Sequence, residues 1–156
     1  MLARNQEINH DGDSQDLENL IRNELQEFRF GDLPNITITG PEVRLPADQV
    51  QPVALAIHEL VTNALKFGAL SVREATLTIG WKSSGKSLDI EWAEAGVPIV
   101  ASVPVRRGFS RQFIEEALPY QTGAETRFEL RPGGILCLIS LPRRPDALNK
   151  PDGGYS

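Results

Sequence analysis

A stripe of apolar residues at helical spacing constrains this chain more than any other feature. Between residues 48 and 68, apolar side chains recur three or four positions apart, which is the period of one α-helical face. They are Val53, Ala56, Leu60, Ala64 and Phe67. A Pro-Ala-Asp segment precedes the stripe and Gly68 follows it, as is typical of a helix start and a helix end. The pattern predicts one long helix, roughly 48–68, with a buried face.

The opposite face of this helix carries three polar side chains in one row. Glu59, Asn63 and Lys66 stand at positions i, i+4 and i+7, so an acid, an amide and an amine lie one above the next. An amide oxygen can bind a hard cation, a carboxylate can orient or deprotonate a nucleophile, and an ammonium group can bind phosphate. The row therefore fits a metal–phosphate complex. The spacing alone equally describes a solvated helix face, and taken by itself it favours that simpler interpretation.

Composition and charge narrow the class of protein. The 156 residues suffice for one domain with a continuous core, and the net charge of -5 argues against a nucleic-acid-binding surface. No apolar run approaches the roughly 20 residues of a membrane span, and the polar N-terminus is unlike a signal peptide. We therefore expect a cytoplasmic domain without membrane contact. Cys137, the only cysteine, lies in an apolar run and is expected to be a buried hydrophobe.

The remaining periodicities predict helices early in the chain and strands later. Besides the long helix, we expect a helix from an N-cap at Ser14 to about Phe28 and another over 108–118. Strands are predicted at 35–39, 75–81, 87–92, 126–130 and 135–141, with a short extended piece at 43–45. This grouping predicts an α+β fold of two layers, with helices on one face of a mixed, mostly antiparallel sheet. The expected domain is 14–142, with a flexible start at 1–13 and a disordered tail at 143–156.

Three segments resemble a known family. The run His-Glu-Leu-x-Thr-Asn-Ala-x-Lys-Phe-Gly-Ala-Leu-Ser at 58–71 resembles the N-box of the HWE family of sensor histidine kinases. That family is named after an N-box histidine and a later Trp-x-Glu, which stand here as His58 and Trp92-Ala93-Glu94. Arg106-Arg107-Gly108-Phe109-Ser110 resembles the family's basic Gly-Phe-Gly segment after the nucleotide lid. The resemblance covers residues 14–142 and implies a Bergerat-type (GHKL ATPase) sandwich that binds ATP.

The resemblance also implies roles for the row on the long helix. Asn63 would coordinate a Mg²⁺ ion that bridges the ATP phosphates, and Glu59 would orient a metal-bound water or polarise the attacking group. Lys66 would reach a phosphate, although a lysine near a helix C-terminus also complements the helix dipole. His58 would lie near the nucleotide, although the residues alone suggest only local packing. Glu59, Asn63 and Lys66 are thus the expected catalytic residues, and Asn63 is the expected metal ligand.

The other two segments are implied to hold the base and the phosphates. Glu94 would accept from the adenine amino group and repel the carbonyl oxygen of guanine, and Gly96 would let the backbone approach the base. Trp92 would lie near the base, although the core is the simpler place for it. Cations at a helix N-terminus form a natural phosphate cradle. The ATP-binding residues that the resemblance implies are His58, Asn63, Lys66, Trp92, Glu94, Gly96, Arg106, Arg107, Gly108, Phe109 and Ser110.

Two departures from the family pattern leave alternatives open. Val97 and Ser110 stand where the family usually has glycine, and the family's His-Arg-x-x-Asn acceptor segment does not occur, His10 being a poor substitute. We therefore expect a histidine kinase catalytic domain that phosphorylates a separate dimerisation domain, is itself monomeric, and serves a response regulator through the full-length kinase. A degenerate, non-catalytic binding module of the same fold and an anti-sigma-factor-type serine kinase are the alternatives.

Overall fold

The elements follow the order that the sequence predicts. The computed structural model describes residues 14–27, 35–98 and 108–143. The helices are α1 (Leu17–Glu27), α2 (Ala47–Phe67), α3 (Gly108–Gln112) and α4 (Leu118–Thr122), with a π-helical turn (Phe113–Ala117) joining the last two. The strands are β1 (Gln15–Asp16), β2 (Ile36–Thr39), β3 (Arg44–Leu45), β4 (Thr76–Ser83), β5 (Ser87–Ala95), β6 (Glu125–Arg131) and β7 (Gly134–Pro142).

One five-stranded sheet has the order β2-β4-β5-β7-β6. The β2–β4 pair is parallel, and the other three pairs are antiparallel. Because side chains alternate along a strand, one face of β4 and β5 is buried and the other is exposed. The buried side chains on these two strands are Leu77, Ile79, Trp81, Leu88, Ile90 and Trp92. The predicted α+β fold with a mixed, mostly antiparallel sheet is thereby confirmed.

Helix α2 supplies the facing layer of the core. Four residues of its apolar stripe are buried in the same cluster as the inner face of the sheet, namely Val53, Ala56, Leu60 and Ala64, whereas Phe67 is half-buried. Burial of one leucine such as Leu60 stabilises the fold by about 2 kcal/mol. The helix ends where the sequence predicts, because the N–H of Gly68 donates to the Ala64 carbonyl at 2.9 Å and the chain then turns away. The apolar stripe thus fixes which face of α2 is left for a ligand.

Helix α1 begins later than its sequence signal suggests. Asp16, and not Ser14, caps it: the Asp16 carboxylate accepts from the backbone N–H of Asn19 at 3.0 Å. The two residues of β1 pair with β3, so this stretch is extended and cannot join the helix. The Ser14 hydroxyl instead accepts from the Arg44 guanidinium at 3.2 Å.

The last helical segment is longer than predicted and includes a π-helical turn. It runs from Gly108 to Thr122, and the N–H of Leu118 donates to the carbonyl of Phe113, five residues back. Pro119 has no N–H to donate, which interrupts the regular α-helical ladder at this point. Gly123, with φ 79°, ends the segment.

The predicted chain ends lie largely outside the described residues. Residues 1–13 and 144–156 belong to the undescribed part, whereas Arg143 donates its backbone N–H to Lys86 at 2.8 Å. No helix within the described ranges is long and apolar enough to cross a membrane.

Candidate functional site

The three side chains of the polar row on α2 differ in their exposure to solvent. Asn63 is only 8% exposed, Glu59 is half-buried, and Lys66 is exposed. The Asn63 amide forms no hydrogen bond with another described residue. The amide atoms of Asn63 are not among the fully buried polar atoms without a partner, so they remain accessible to an external ligand.

Glu59 is held by the start of α3. The Ser110 hydroxyl, in a residue that is 4% exposed, donates to Oε1 of Glu59 at 3.0 Å. The neighbouring Phe109 is 64% exposed and faces solvent. Gly108 opens α3 as the sequence predicts, whereas Arg106 and Arg107 lie outside the described residues. Of the predicted phosphate-binding segment, Ser110 therefore contacts α2 directly.

Glu94, near the end of β5, is held by hydrogen-bond donors from two other parts of the chain. Its Oε2 accepts from the Trp92 indole N–H at 3.0 Å, and its Oε1 accepts from the backbone N–H of Ile135 at 3.3 Å. The backbone N–H of Ala69 also hydrogen-bonds to the carboxylate. Burial raises the pKa of Glu94 above its ordinary value, and the three donors oppose that rise because they favour the charged form.

Two glycines make room for the Glu94 side chain. A Cβ atom on Gly68 would lie 2.6 Å from Oε1 of Glu94, and one on Gly134 would lie 2.5 Å from Cβ of Glu94. Both distances are far below van der Waals contact, so the side chain occupies space that only glycine leaves empty. The end of α2, the end of β5 and the start of β7 therefore meet at one carboxylate.

The remaining residues of the Trp-x-Glu segment shape the turn behind Glu94. Trp92 is 1% exposed, so its ring belongs to the core, and its indole N–H reaches the site only through Glu94. Gly96 has φ +84°, a left-handed conformation that side chains rarely adopt. Val97, which stands where the family usually has glycine, is buried and pairs with Gly133 in an antiparallel bridge. Its side chain is packed into the fold.

His58 lies on a different side of α2. Its Nδ1 is 3.0 Å from Oε1 of Glu24, so it connects α2 to α1. The structure thus brings Glu59 together with Ser110, and Glu94 together with Trp92 and the end of α2, but it places His58 against the first helix.

Sequence reasoning missed the two glycines and the Ile135 amide. Gly68 was predicted only as a helix end, and Gly134 only falls between the strands predicted at 126–130 and 135–141. Their contact with Glu94 arises because three separate elements converge. No local pattern in the sequence contains that information.

A groove lies on the exposed face of the sheet, away from α2. It has a volume of about 830 Å³, and its lining mixes cations with anions, among them Lys82, Arg127, Asp89 and Glu91. Such mixed charge does not favour an anionic ligand. Within the described ranges, no three His, Cys, Asp or Glu side chains cluster to hold a metal ion. The α2–Glu94 region is therefore the better candidate site.

Comparison with known proteins gives relatives among histidine kinases, although no protein-family model matches the chain. A Rhizobium johnstonii protein named blue-light-activated histidine kinase is 34% identical over 128 residues, which are 81% of this chain and 36% of that protein. Blue-light-activated histidine kinase 1 of Erythrobacter litoralis is 31% identical over 129 residues, 81% of this chain and 35% of that protein. The chain thus spans about a third of the length of these relatives.

Solved structures with the same fold include the catalytic domain of histidine kinase ThkA. It superposes with a TM-score of 0.60 at 17% identity, and the match covers 83% of this chain and 94% of that one. ThkA solved in complex with the response regulator TrrA gives a TM-score of 0.56 at 19% identity, over 85% of this chain and 42% of ThkA.

The sequence relatives and the fold together define a histidine kinase catalytic domain. The relatives, together with His58 and the Trp92-Ala93-Glu94 segment, also indicate the family within this class of protein. The chain belongs to the HWE family of sensor histidine kinases.

Proposed function

We propose that this domain binds Mg·ATP and transfers the γ-phosphoryl group to a histidine on a separate dimerisation domain. The observation that carries the proposal is the polar face of α2, where Glu59, Asn63 and Lys66 follow one another towards the carboxylate of Glu94. From Asn63 to Gly68, which touches Glu94, the helix axis rises about 7 Å. A metal–phosphate group at Asn63 and a base at Glu94 would therefore be near neighbours.

Asn63 fits a magnesium ligand in its chemistry and its burial. Mg²⁺ is commonly bound through one or two protein oxygens, with waters and phosphate oxygens completing the shell. The Asn63 amide supplies such an oxygen: the residue is 8% exposed, and the amide has no partner among the described residues. Asn63 would hold the ion at the phosphates, where its positive charge would offset their negative charge.

The other side chains of the site would position the reactants. Lys66 at the exposed end of the row would attract phosphate as a point charge. Glu59 would orient the attacking group once the nucleotide is bound, and Glu94 would accept from the adenine amino group. Phosphoryl transfer asks for little covalent chemistry from the protein, so positioning and charge neutralisation would supply most of the rate.

The partners of this site follow from the transfer step. The acceptor is a histidine on the dimerisation domain of the same kinase, and the phosphoryl group would pass from there to a response regulator. The complex of ThkA with TrrA supports a regulator partner for a domain of this fold. The predicted cytoplasmic location would give the site access to cellular ATP.

One observation favours a second function, a non-catalytic binding module. Ser110, in a position where the family usually has glycine, donates its hydroxyl to Glu59 and so occupies one oxygen of the proposed catalytic carboxylate. If that contact persisted with nucleotide bound, ATP would bind without turnover.

Calorimetric titration of the chain with ATP, with and without Mg²⁺, tests the binding step. We expect binding that strengthens with Mg²⁺, and we expect Asn63→Ala to remove the magnesium-dependent part because it deletes the ligand oxygen. The matched control is Gln51→Ala, which removes an exposed amide from the same helix and should leave binding unchanged. The proposal is wrong if the wild-type chain binds no nucleotide.

Turnover distinguishes the kinase from the module. The wild-type chain is incubated with Mg·ATP and the dimerisation domain of its own kinase, and acid-labile phosphohistidine is measured. Phosphohistidine supports the kinase. ATP binding without phosphohistidine, restored by Ser110→Gly, would establish the module and assign the block to the Ser110–Glu59 contact.

A further inference from the structure

The Glu94 carboxylate lies in a cradle that the protein has built for it. Four residues form this cradle: Trp92, Ile135, Gly68 and Gly134. The first two donate to different carboxylate oxygens, at 3.0 and 3.3 Å, and the glycines leave the space that the side chain fills. A carboxylate held this way cannot rotate freely, because each oxygen has its own donor.

Of these donors, only the Trp92 indole is a side chain. Its ring is buried in the core, so the position of its N–H is fixed by packing. A hydrogen bond to an ionised acceptor is shorter and stronger than a neutral one, and a rigid donor sets the plane of the carboxylate. The unused lone pairs of Glu94 therefore keep one orientation towards any ligand at the end of α2.

We propose that Trp92 is a positioning residue for purine selection, which acts through Glu94 without touching the nucleotide. The inference rests on the proposed function, because it assumes that a purine is read by Glu94. A carboxylate in a fixed plane accepts from the adenine amino group and meets the guanine carbonyl oxygen with like partial charge. Without the Trp92 hydrogen bond, the two backbone donors, Ile135 and Ala69, still hold the carboxylate but the rigid side-chain donor at Oε2 is gone. A small rotation can then relieve that repulsion, so the loss of the Trp92 hydrogen bond reduces selectivity between the two bases.

The test is the ratio of the dissociation constants for Mg·GTP and Mg·ATP, measured by calorimetry. Trp92→Phe keeps an aromatic ring in the core and removes the N–H, and we expect the ratio to fall about fivefold to tenfold. The control is Trp81→Phe, the same replacement on the neighbouring strand, where the indole donates to the Pro41 carbonyl at 2.7 Å. The control should keep the wild-type ratio.

A double-mutant cycle separates positioning from general damage to the fold. Glu94→Ala removes the group through which Trp92 acts, so adding Trp92→Phe to Glu94→Ala should change the ratio no further. If the changes that the two substitutions cause in the ratio simply add, the inference is refuted while nucleotide binding stands. The same holds if Trp92→Phe alone keeps the wild-type ratio. Equal affinity of the wild-type chain for both nucleotides would refute it too.

Two further results complete the test. If the wild-type chain binds neither nucleotide, the proposed function fails and the inference falls with it. If circular dichroism shows that Trp92→Phe does not fold, Trp92→Leu replaces it, because it also removes the indole N–H and leaves an apolar side chain in the core. The expected result is again a lower ratio, and an unchanged ratio would overturn the inference.

Discussion

Glu94 combines two conditions that act in opposite directions on its charge. Burial raises the pKa of its carboxyl above the ordinary value of 4.5, while hydrogen bonds from Trp92, Ile135 and Ala69 lower it, and burial is the larger effect. A raised pKa means that the folded protein binds the proton of Glu94 more tightly than the unfolded chain does. The contribution of this group to stability is therefore full below the unfolded-state pKa, and it is lost as pH rises through the folded-state pKa.

We accordingly predict that Glu94→Gln changes the pH dependence of stability. As pH rises above about 4.5, the free energy of unfolding of the wild type should fall relative to that of Glu94→Gln, until Glu94 is fully ionised in the folded state. Urea unfolding of both proteins at a series of pH values measures the difference. Glu91→Gln on the exposed side of the same strand is the control and should give a parallel curve. A difference that grows in favour of the wild type with rising pH would contradict the assignment.

Single residues also show where sequence reasoning ends. The polar row on α2 was predictable because helical spacing places its members on one face. The partners of Glu94 were not, because the Ile135 amide lies 41 residues along the chain and becomes a neighbour only through the pairing of β5 with β7. His58 is similar: the residues alone suggest local packing for it, but only the packing of α1 on α2 reveals Glu24 as its partner.

At the scale of elements, the Ser110–Glu59 hydrogen bond ties α3 to α2. We predict that Ser110→Ala destabilises the fold by about 1–2 kcal/mol, because it leaves a half-buried carboxylate without its donor. The control is Ser140→Ala, since Ser140 donates to Asp89 at 2.6 Å in an exposed pair and water can replace it. Urea unfolding measures both changes, and equal losses would show that the α3–α2 contact contributes nothing beyond a surface pair.

Periodicity identified the long elements and missed the short ones. The stripe on α2 and the alternation on β4, β5 and β7 reflect burial against one core, so the sequence records them directly. The two-residue strand β1 is too short to have a period, and it exists because it pairs with β3, which lies within the extended piece predicted at 43–45. The π-helical turn before Pro119 depends on which carbonyl the N–H of Leu118 reaches, a detail of packing that no residue pattern encodes.

At the scale of the whole molecule, one core joins α2 to the sheet, so we predict that the domain unfolds as a unit. Trp81 and Trp92 lie on neighbouring strands in this core, so their fluorescence reports on its packing. Far-ultraviolet circular dichroism reports mainly on the helices. In a two-state transition the two signals have the same midpoint in urea.

Saturating Mg·ATP, at about 100 times its dissociation constant, should raise the free energy of unfolding by about 2.7 kcal/mol and shift both midpoints together. A shift seen in circular dichroism alone would mean that the helices can unfold separately from the sheet, and that the nucleotide is held by α2 without the carboxylate on β5.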